Sequence, residues 1–248
     1  MVAPGLKIDM NSILRFDTRE QLVEQLGNSI AEHLRTAIAS RGSATLAVSG
    51  GNSPKLLFNY LSQQKLDWQH VTITLVDERW VNANHPDSNA KLVRDYLLQH
   101  EAKSATFIPL YNCENSPFSA EPAINQALAK LQLPFDSVVL GMGDDGHTAS
   151  FFPGAKTLNK AIDMKNPSLC CAIEPLTAPH ARMTLTLPAL LNSRSLYLLV
   201  TGSSKLPVLQ RALENFNRER TRDSWLAELP VRTVLYQDQI PISVYYAD

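Results

Sequence analysis

The chain has 248 residues, 23 of them Lys or Arg and 24 Asp or Glu, for a formal net charge of −1. That balance offers no excess positive field to a nucleic-acid backbone or an anionic membrane, so any anion must be met by local groups. With 44% hydrophobic and 19% charged residues the composition excludes a disordered chain, and the length supports a buried core without disulfide or metal staples.

The three cysteines, Cys113, Cys170 and Cys171, are odd in number and two are adjacent, which is no disulfide framework. No Cys-x-x-Cys pair is present, and a reducing compartment is expected. Met1 to Phe16 holds no apolar run of signal-peptide length, and nowhere do about 18 apolar residues follow one another. The expectation is one cytoplasmic domain over 1–248, a monomer or weak homo-oligomer, with no nucleic-acid or membrane partner.

In chain order, Asp17-Thr18-Arg19-Glu20 has capping-box spacing, and Leu22, Leu26, Ile30, Leu34 and Ile38 recur every four residues until Gly42. This predicts an amphipathic helix. Ala44 to Val48 reads as a strand, followed by the turn Ser49-Gly50-Gly51-Asn52-Ser53 and a helix from Pro54 to about Gln63. Val71 to Val76 is a β-branched strand, and Ser88 caps a helix from Asn89 to about Gln99. Thr106 to Ile108 is a short strand, Ala120 to Leu131 a helix and Val138 to Leu140 a buried strand opening onto a Gly-rich turn. Cys170 to Ile173, Met183 to Leu187 and Leu196 to Thr201 read as strands, Ser203 to Asn215 as a helix and Ile242 to Tyr246 as the last strand. Continuous apolar strands alternating with helices predict an α/β layered fold, mainly a parallel sheet with helices on both faces. Ligands of such sheets sit beyond the carboxyl ends of the strands, and four segments there carry chemistry.

The first is Ser49-Gly50-Gly51-Asn52-Ser53-Pro54. Glycines admit an anion to the backbone and the following helix turns free N–H groups toward it; equally, Ser53 could be a plain N-cap. The second, Asp77-Glu78-Arg79-Trp80, sets three charges at the end of an apolar strand, where they are costly unless used or paired with one another. The third runs from Gly141 to Ser150. It matches Gly-x-Gly-x-x-Gly, but Asp144 and Asp145 would repel a pyrophosphate and Phe151-Phe152-Pro153-Gly154 interrupts the helix a dinucleotide fold requires. His147 is better read as a proton-transfer group with Asp145 available to orient it. Asp144, Asp145 and His147 fit no standard metal spacing, and neither metal nor cofactor is expected. The fourth pairs Arg182-Met183-Thr184 with Thr201-Gly202-Ser203-Ser204-Lys205, two cations beside strand ends. Cys170 and Cys171 read as small core residues, and His33, His70, His85, His100 and His180 form no constellation in the sequence.

Together, Ser49-Gly50-Gly51 with Ser53-Pro54, Asp77-Glu78-Arg79, Ser88-Asn89, Gly141 to Ser150, Phe152-Pro153-Gly154, Arg182-Met183-Thr184 and Lys205 resemble the glucosamine-6-phosphate isomerase/6-phosphogluconolactonase family, over most of the chain and in order. The resemblance implies a Rossmann-like fold and, on the lactonase side of the family, hydrolysis of 6-phospho-D-glucono-1,5-lactone to 6-phospho-D-gluconate, a step of the oxidative pentose phosphate pathway. It implies His147, Asp145 and Arg79 as catalytic residues. The phosphosugar would be bound by Ser49, Gly50, Gly51, Asn52, Ser53, Asp77, Arg182 and Lys205. Deaminases of this family usually carry an aromatic residue after Asp-Glu, where this chain has Arg79. The chain departs from the lactonase pattern at Asn52, where Ser or Thr is common, and at Asn82, where Pro is frequent. The alternatives are a glucosamine-6-phosphate deaminase-like isomerase and a non-catalytic phosphosugar-binding module.

Overall fold

The structure is a computed structural model that describes residues 9–248 apart from 11, 215 and 217–220. Residues 1–8 of the N-terminal segment, and Asn215 at the end of a predicted helix, lie outside the described residues. The elements are β1 (Leu14–Arg15), α1 (Arg19–Arg41), β2 (Ala44–Val48), α2 (Pro54–Ser62), β3 (Val71–Leu75), β4 (Asp77–Arg79), α3 (Asn89–Leu92), β5 (Thr106–Ile108), α4 (Pro117–Leu128), β6 (Ser137–Gly141), α5 (Leu158–Ile162), β7 (Cys170–Ile173), β8 (Arg182–Leu185), α6 (Leu187–Leu191), β9 (Leu196–Thr201), α7 (Leu206–Ala212), α8 (Arg222–Glu228), α9 (Arg232–Leu235) and β10 (Ile242–Ala247).

The larger sheet has the order β1-β10-β9-β6-β2-β3-β5, and every pairing in it is parallel. All five residues of β2 are buried, so both faces of that strand are covered, as a parallel sheet between helical layers requires. The chain leaves β2 for β3 and β5 on one side, then crosses to β6, β9 and β10 on the other. The order therefore reverses between β2 and β6. At that point the loops after the two strands diverge and leave a crevice, and Ser49 N–H donating to the Val139 carbonyl at 2.9 Å ties them together at its floor.

Helix α1 buries Leu22, Leu26, Ile30 and Leu34 completely, the stripe that the four-residue recurrence predicts. Truncating any one of these leucines to Ala removes packed methyl groups worth about 2–5 kcal/mol. Its cap differs from the expected one: Thr18, in extended conformation, accepts from Gln21 N–H, so the box opens one residue after Asp17.

Other boundaries shift for local reasons. Ser53 is helical and makes no cap; its hydroxyl lies 2.7 Å from Thr201 Oγ1 instead. The helix at Asn89 is α-helical only to Leu92, and Val93–Leu97 continues as a wider π-turn closed by Leu98 N–H on the Val93 carbonyl. Capped by Ser116, α4 starts at Pro117, three residues before the expected start. Leu187 starts α6 rather than ending a strand, because Thr186 caps a turn containing Pro188. Ser203–Lys205 is a 3-10 turn leading into α7.

A second sheet, β4-β8-β7, is antiparallel. Asp77-Glu78-Arg79 is thus a strand in its own right, registered against Thr184, Met183 and Arg182. Cys170 and Cys171 on β7 are buried thiols whose pKa burial raises, to about 12 for Cys171. They pack as core. Among the described residues no helix is long and apolar enough to cross a membrane.

Candidate active site

A cavity of about 300 Å³ opens at the reversal point between β2 and β6. Its walls include Ser49, Gly50, Gly51, Asn52 and Ser53 after β2, Asp77 and Arg79 on β4, Gly143 and His147 after β6, and Lys205 after β9. Segments separated by up to about 150 residues thus converge because each follows the carboxyl end of a neighbouring strand.

Gly50 is at the first wall for a steric reason. A Cβ there would lie 1.8 Å from Asn89 Oδ1, so only glycine lets the turn pack onto α3. Asn89, also on the cavity wall, donates from Nδ2 to the Asp77 carbonyl at 2.8 Å. Asp77 is buried, and Ser150 Oγ donates to its Oδ2 at 2.6 Å. The carboxylate is therefore held from the far side of the Gly-rich loop.

Glu78 faces the opposite way. It is fully buried, and its carboxylate accepts the N–H groups of Arg79, Asn89 and Ala90, each at 2.7 Å, and the Ser88 hydroxyl at 3.1 Å. A negative charge on free N–H groups at a helix start is favourable, and here it fixes β4 to α3. Burial raises the Glu78 pKa, and those N–H groups oppose the rise. Glu78 therefore neither faces the cavity nor holds the Arg79 side chain. Arg79 donates from Nη1 to the Asp87 carbonyl at 2.7 Å.

The loop after β6 is folded back on itself: Gly143 N–H donates to the His147 carbonyl at 2.9 Å and Thr148 Oγ1 to the Gly141 carbonyl at 2.8 Å. Within it Asp145 Oδ1 is 2.5 Å from His147 Nδ1 and also accepts the His147 N–H at 3.0 Å. Burial alone would raise the Asp145 pKa, but the hydrogen bond and charge of His147 outweigh it and hold the carboxyl below its usual range. Phe152 backs the imidazole at a centroid distance of 4.3 Å. With Nδ1 committed to the carboxylate, Nε2 is the nitrogen left free for chemistry.

Lys205 is engaged by Asp144, Nζ to Oδ1 2.9 Å, across the cavity mouth. Apart from Asp145, which reaches the cavity only through its bond to His147, Arg182 is the predicted site residue that does not line the cavity. It is buried behind the wall, 5.7 Å over the Phe152 ring, and donates to the His180 carbonyl at 3.3 Å while its Nε has no partner. Burial lowers its pKa, and Asp77 opposes that. The register of β4 on β8 sets it directly opposite Arg79, a like charge.

Three features lack a readable signal in the sequence. Ser150 and Asn89 reach Asp77 only through the fold, and Asp144 finds Lys205 across 61 positions. His85, Asp87 and His180 also meet, at the ends of two loops joined through β4 and β8.

A wholly parallel sheet with a polar crevice at its reversal point defines a Rossmann-like α/β protein. Its family is narrower. The model for glucosamine-6-phosphate isomerases/6-phosphogluconolactonase matches residues 17–241, and the chain belongs to that family. It is 41% identical over 232 residues to a 6-phosphogluconolactonase of Rhizobium meliloti, covering 94% of this chain and 97% of the relative. The crystal structure of a 6-phosphogluconolactonase from Shewanella baltica superposes with a TM-score of 0.91 at 40% identity, each chain covered completely. A monomeric glucosamine-6-phosphate deaminase shares the fold at 18% identity, with a TM-score of 0.74 and 94% and 96% of the two chains covered.

Proposed function

We propose that the chain hydrolyses 6-phospho-D-glucono-1,5-lactone to 6-phospho-D-gluconate, with His147 Nε2 as the general base. The observation that carries this reading is that His147, paired with Asp145, lines the same cavity as the Gly50-Gly51 turn and Lys205.

A water between His147 and the lactone carbonyl gives its proton to Nε2 as its oxygen bonds to C1. Asp145 holds the ring in the tautomer with Nδ1 protonated and stabilises the imidazolium that forms. The tetrahedral intermediate collapses by breaking the bond from C1 to the ring oxygen, which takes the proton back from Nε2. The product is the open acid. Arg79 lies where its guanidinium can offset the developing oxyanion, and it is held by the Asp87 carbonyl rather than by a carboxylate that would neutralise it. Ser49, Gly50, Gly51, Asn52 and Ser53 contact the phosphate with Lys205, while Asp77 orients a sugar hydroxyl. Arg182 adds positive charge from behind the wall. A positioned base is worth about 10²–10⁴-fold, and a δ-lactone is activated enough that no covalent nucleophile is needed.

The chain acts in the cytoplasm as one domain, a monomer or weak homo-oligomer without nucleic-acid or membrane partners. A coupled hydrolysis assay on freshly made lactone, corrected for spontaneous opening, tests the activity. No rate above the spontaneous one refutes the reading, and ammonia release from glucosamine 6-phosphate would put the deaminase alternative in its place.

A further inference from the structure

We propose that His85, Asp87 and His180 form a binding site for a borderline divalent transition-metal ion of the Zn²⁺ class, clasping two loops at the rim of the cavity. His180 Nε2 is 3.0 Å and His85 Nδ1 3.8 Å from Asp87 Oδ2, and all three donor atoms lie within 4.8 Å of one another. Tetrahedral zinc with bonds of about 2.0–2.1 Å separates its ligand atoms by about 3.3 Å. The observed spacings bracket that value, so modest side-chain rotations close the site around an ion.

The two nitrogens start from different states: His180 Nε2 donates to Asp87 Oδ2, and an ion would displace that proton. Asp87 N–H donates to His85 Nδ1 at 3.1 Å, so that nitrogen is the unprotonated one, and an ion would take its lone pair in place of this hydrogen bond. Two imidazoles and a carboxylate leave a fourth position for water, a donor set that suits Zn²⁺, Co²⁺, Ni²⁺ or Cu²⁺ and not Mg²⁺ or Ca²⁺, which take oxygen. The rings are also held. His85 sits in a turn closed by its own N–H on the Asn82 carbonyl, 2.8 Å, and by Ser88 N–H on its carbonyl, 2.9 Å. Across the gap, Trp80 N–H donates to the Ala181 carbonyl at 2.8 Å and Arg182 Nη1 to the His180 carbonyl. His180 itself adopts a φ of 66°, a left-handed conformation costly for a non-glycine residue and seen where surroundings impose it.

The same Asp87 gives its carbonyl to Arg79 Nη1 at 2.7 Å. An ion on the Asp87 carboxylate therefore stiffens the segment that holds Arg79 at the cavity, although it is no part of the hydrolytic chemistry.

Chelator-treated full-length protein, titrated with Co²⁺ under visible absorption and with Zn²⁺ by calorimetry, tests the site without reference to lactone turnover. One ion per chain is expected, with the ligand-field bands of a low-coordinate nitrogen-containing Co²⁺ site and a Zn²⁺-dependent rise in Tm. His85→Asn and His180→Asn should each weaken binding about tenfold or more and abolish the Tm rise. His147→Ala, which removes a part-buried imidazole paired with a different carboxylate, should leave both intact. Unchanged affinity in folded His85→Asn or His180→Asn, binding lost through His147→Ala, or no Co²⁺ spectrum in the wild type would each overturn the proposal and leave His180–Asp87 a simple ion pair.

Discussion

Lys205 Nζ lies 2.9 Å from Asp144 Oδ1, so the cation that we propose binds the phosphate is occupied by a carboxylate one residue before Asp145. Lys205 is largely sheltered while Asp144 is 74% exposed, and an ion pair with so exposed a partner is worth about 0–1 kcal/mol. On the proposed reading a dianionic phosphate would displace so weakly held a carboxylate.

Removing the competitor should help binding. Asp144→Asn is expected to lower KM by about twofold to fivefold, the equivalent of the pair's energy, with kcat little changed. Lys205→Ala should raise KM strongly and make the Asp144 substitution silent in its background. Steady-state kinetics of the two single variants and the double variant decide this; independent, additive effects would mean the two residues do not compete for one charge.

The Asp145–His147 contact predicts a different signature. His147→Ala should reduce kcat by about 10²–10⁴-fold while phosphosugar affinity survives. Asp145→Asn keeps the size of the side chain but removes the charge that stabilises the imidazolium, so it should also lower kcat, by less. Full turnover in His147→Ala would dismiss it as the base.

Gly143→Ala tests the loop itself. The added Cβ would fall 2.1 Å from His147 Nδ1 and 2.8 Å from Asp145 Oδ1, within the contact between them. The ring or the carboxylate must move, and displacements of about 1 Å cost about 10²-fold in positioned catalysis. The expected variant is folded, binds product analogues and turns over slowly. Wild-type kcat would mean the observed pairing is not the working geometry.

Much of this arrangement was legible in the sequence because local rules and tertiary demands agree there. Leu22, Leu26, Ile30 and Leu34 repeat with the helical period and are the residues α1 buries. The turns after β2 and β6 carry glycines and polar groups at strand ends, where α/β sheets place ligands, and both line the cavity. The rest depends on pairings between distant segments. Three residues, Asp77-Glu78-Arg79, are too few for a periodicity to mark them as a strand, and only the β8 partner makes them one. That pairing also sets Arg182 opposite Arg79 and brings the segment before β8, with His180, to Asp87. Glu78 reads as a site charge in sequence because nothing local reveals the N–H groups of Asn89 and Ala90 above it.

Glu78 supplies a pH-dependent prediction of stability. Glu78→Gln retains the shape but turns an amide toward donors that the carboxylate satisfies, and a buried donor left unpaired costs about 1–3 kcal/mol. Burial raises the Glu78 pKa from the ordinary 4.5, so near and above that value the folded state binds a proton more readily than the unfolded one. Stability contributed by this group is therefore fully present below pH 4.5 and lost as pH rises through the folded-state pKa. Glutamine does not titrate. The stability gap between wild type and Glu78→Gln should consequently be smaller at pH 7 and widen as the pH is lowered toward 4.5, all other titrations being common to both proteins. Urea denaturation of the pair across that range measures it directly. A gap that narrows on acidification would show that the helix-start N–H groups outweigh burial and that the Glu78 carboxylate is stabilised in the fold.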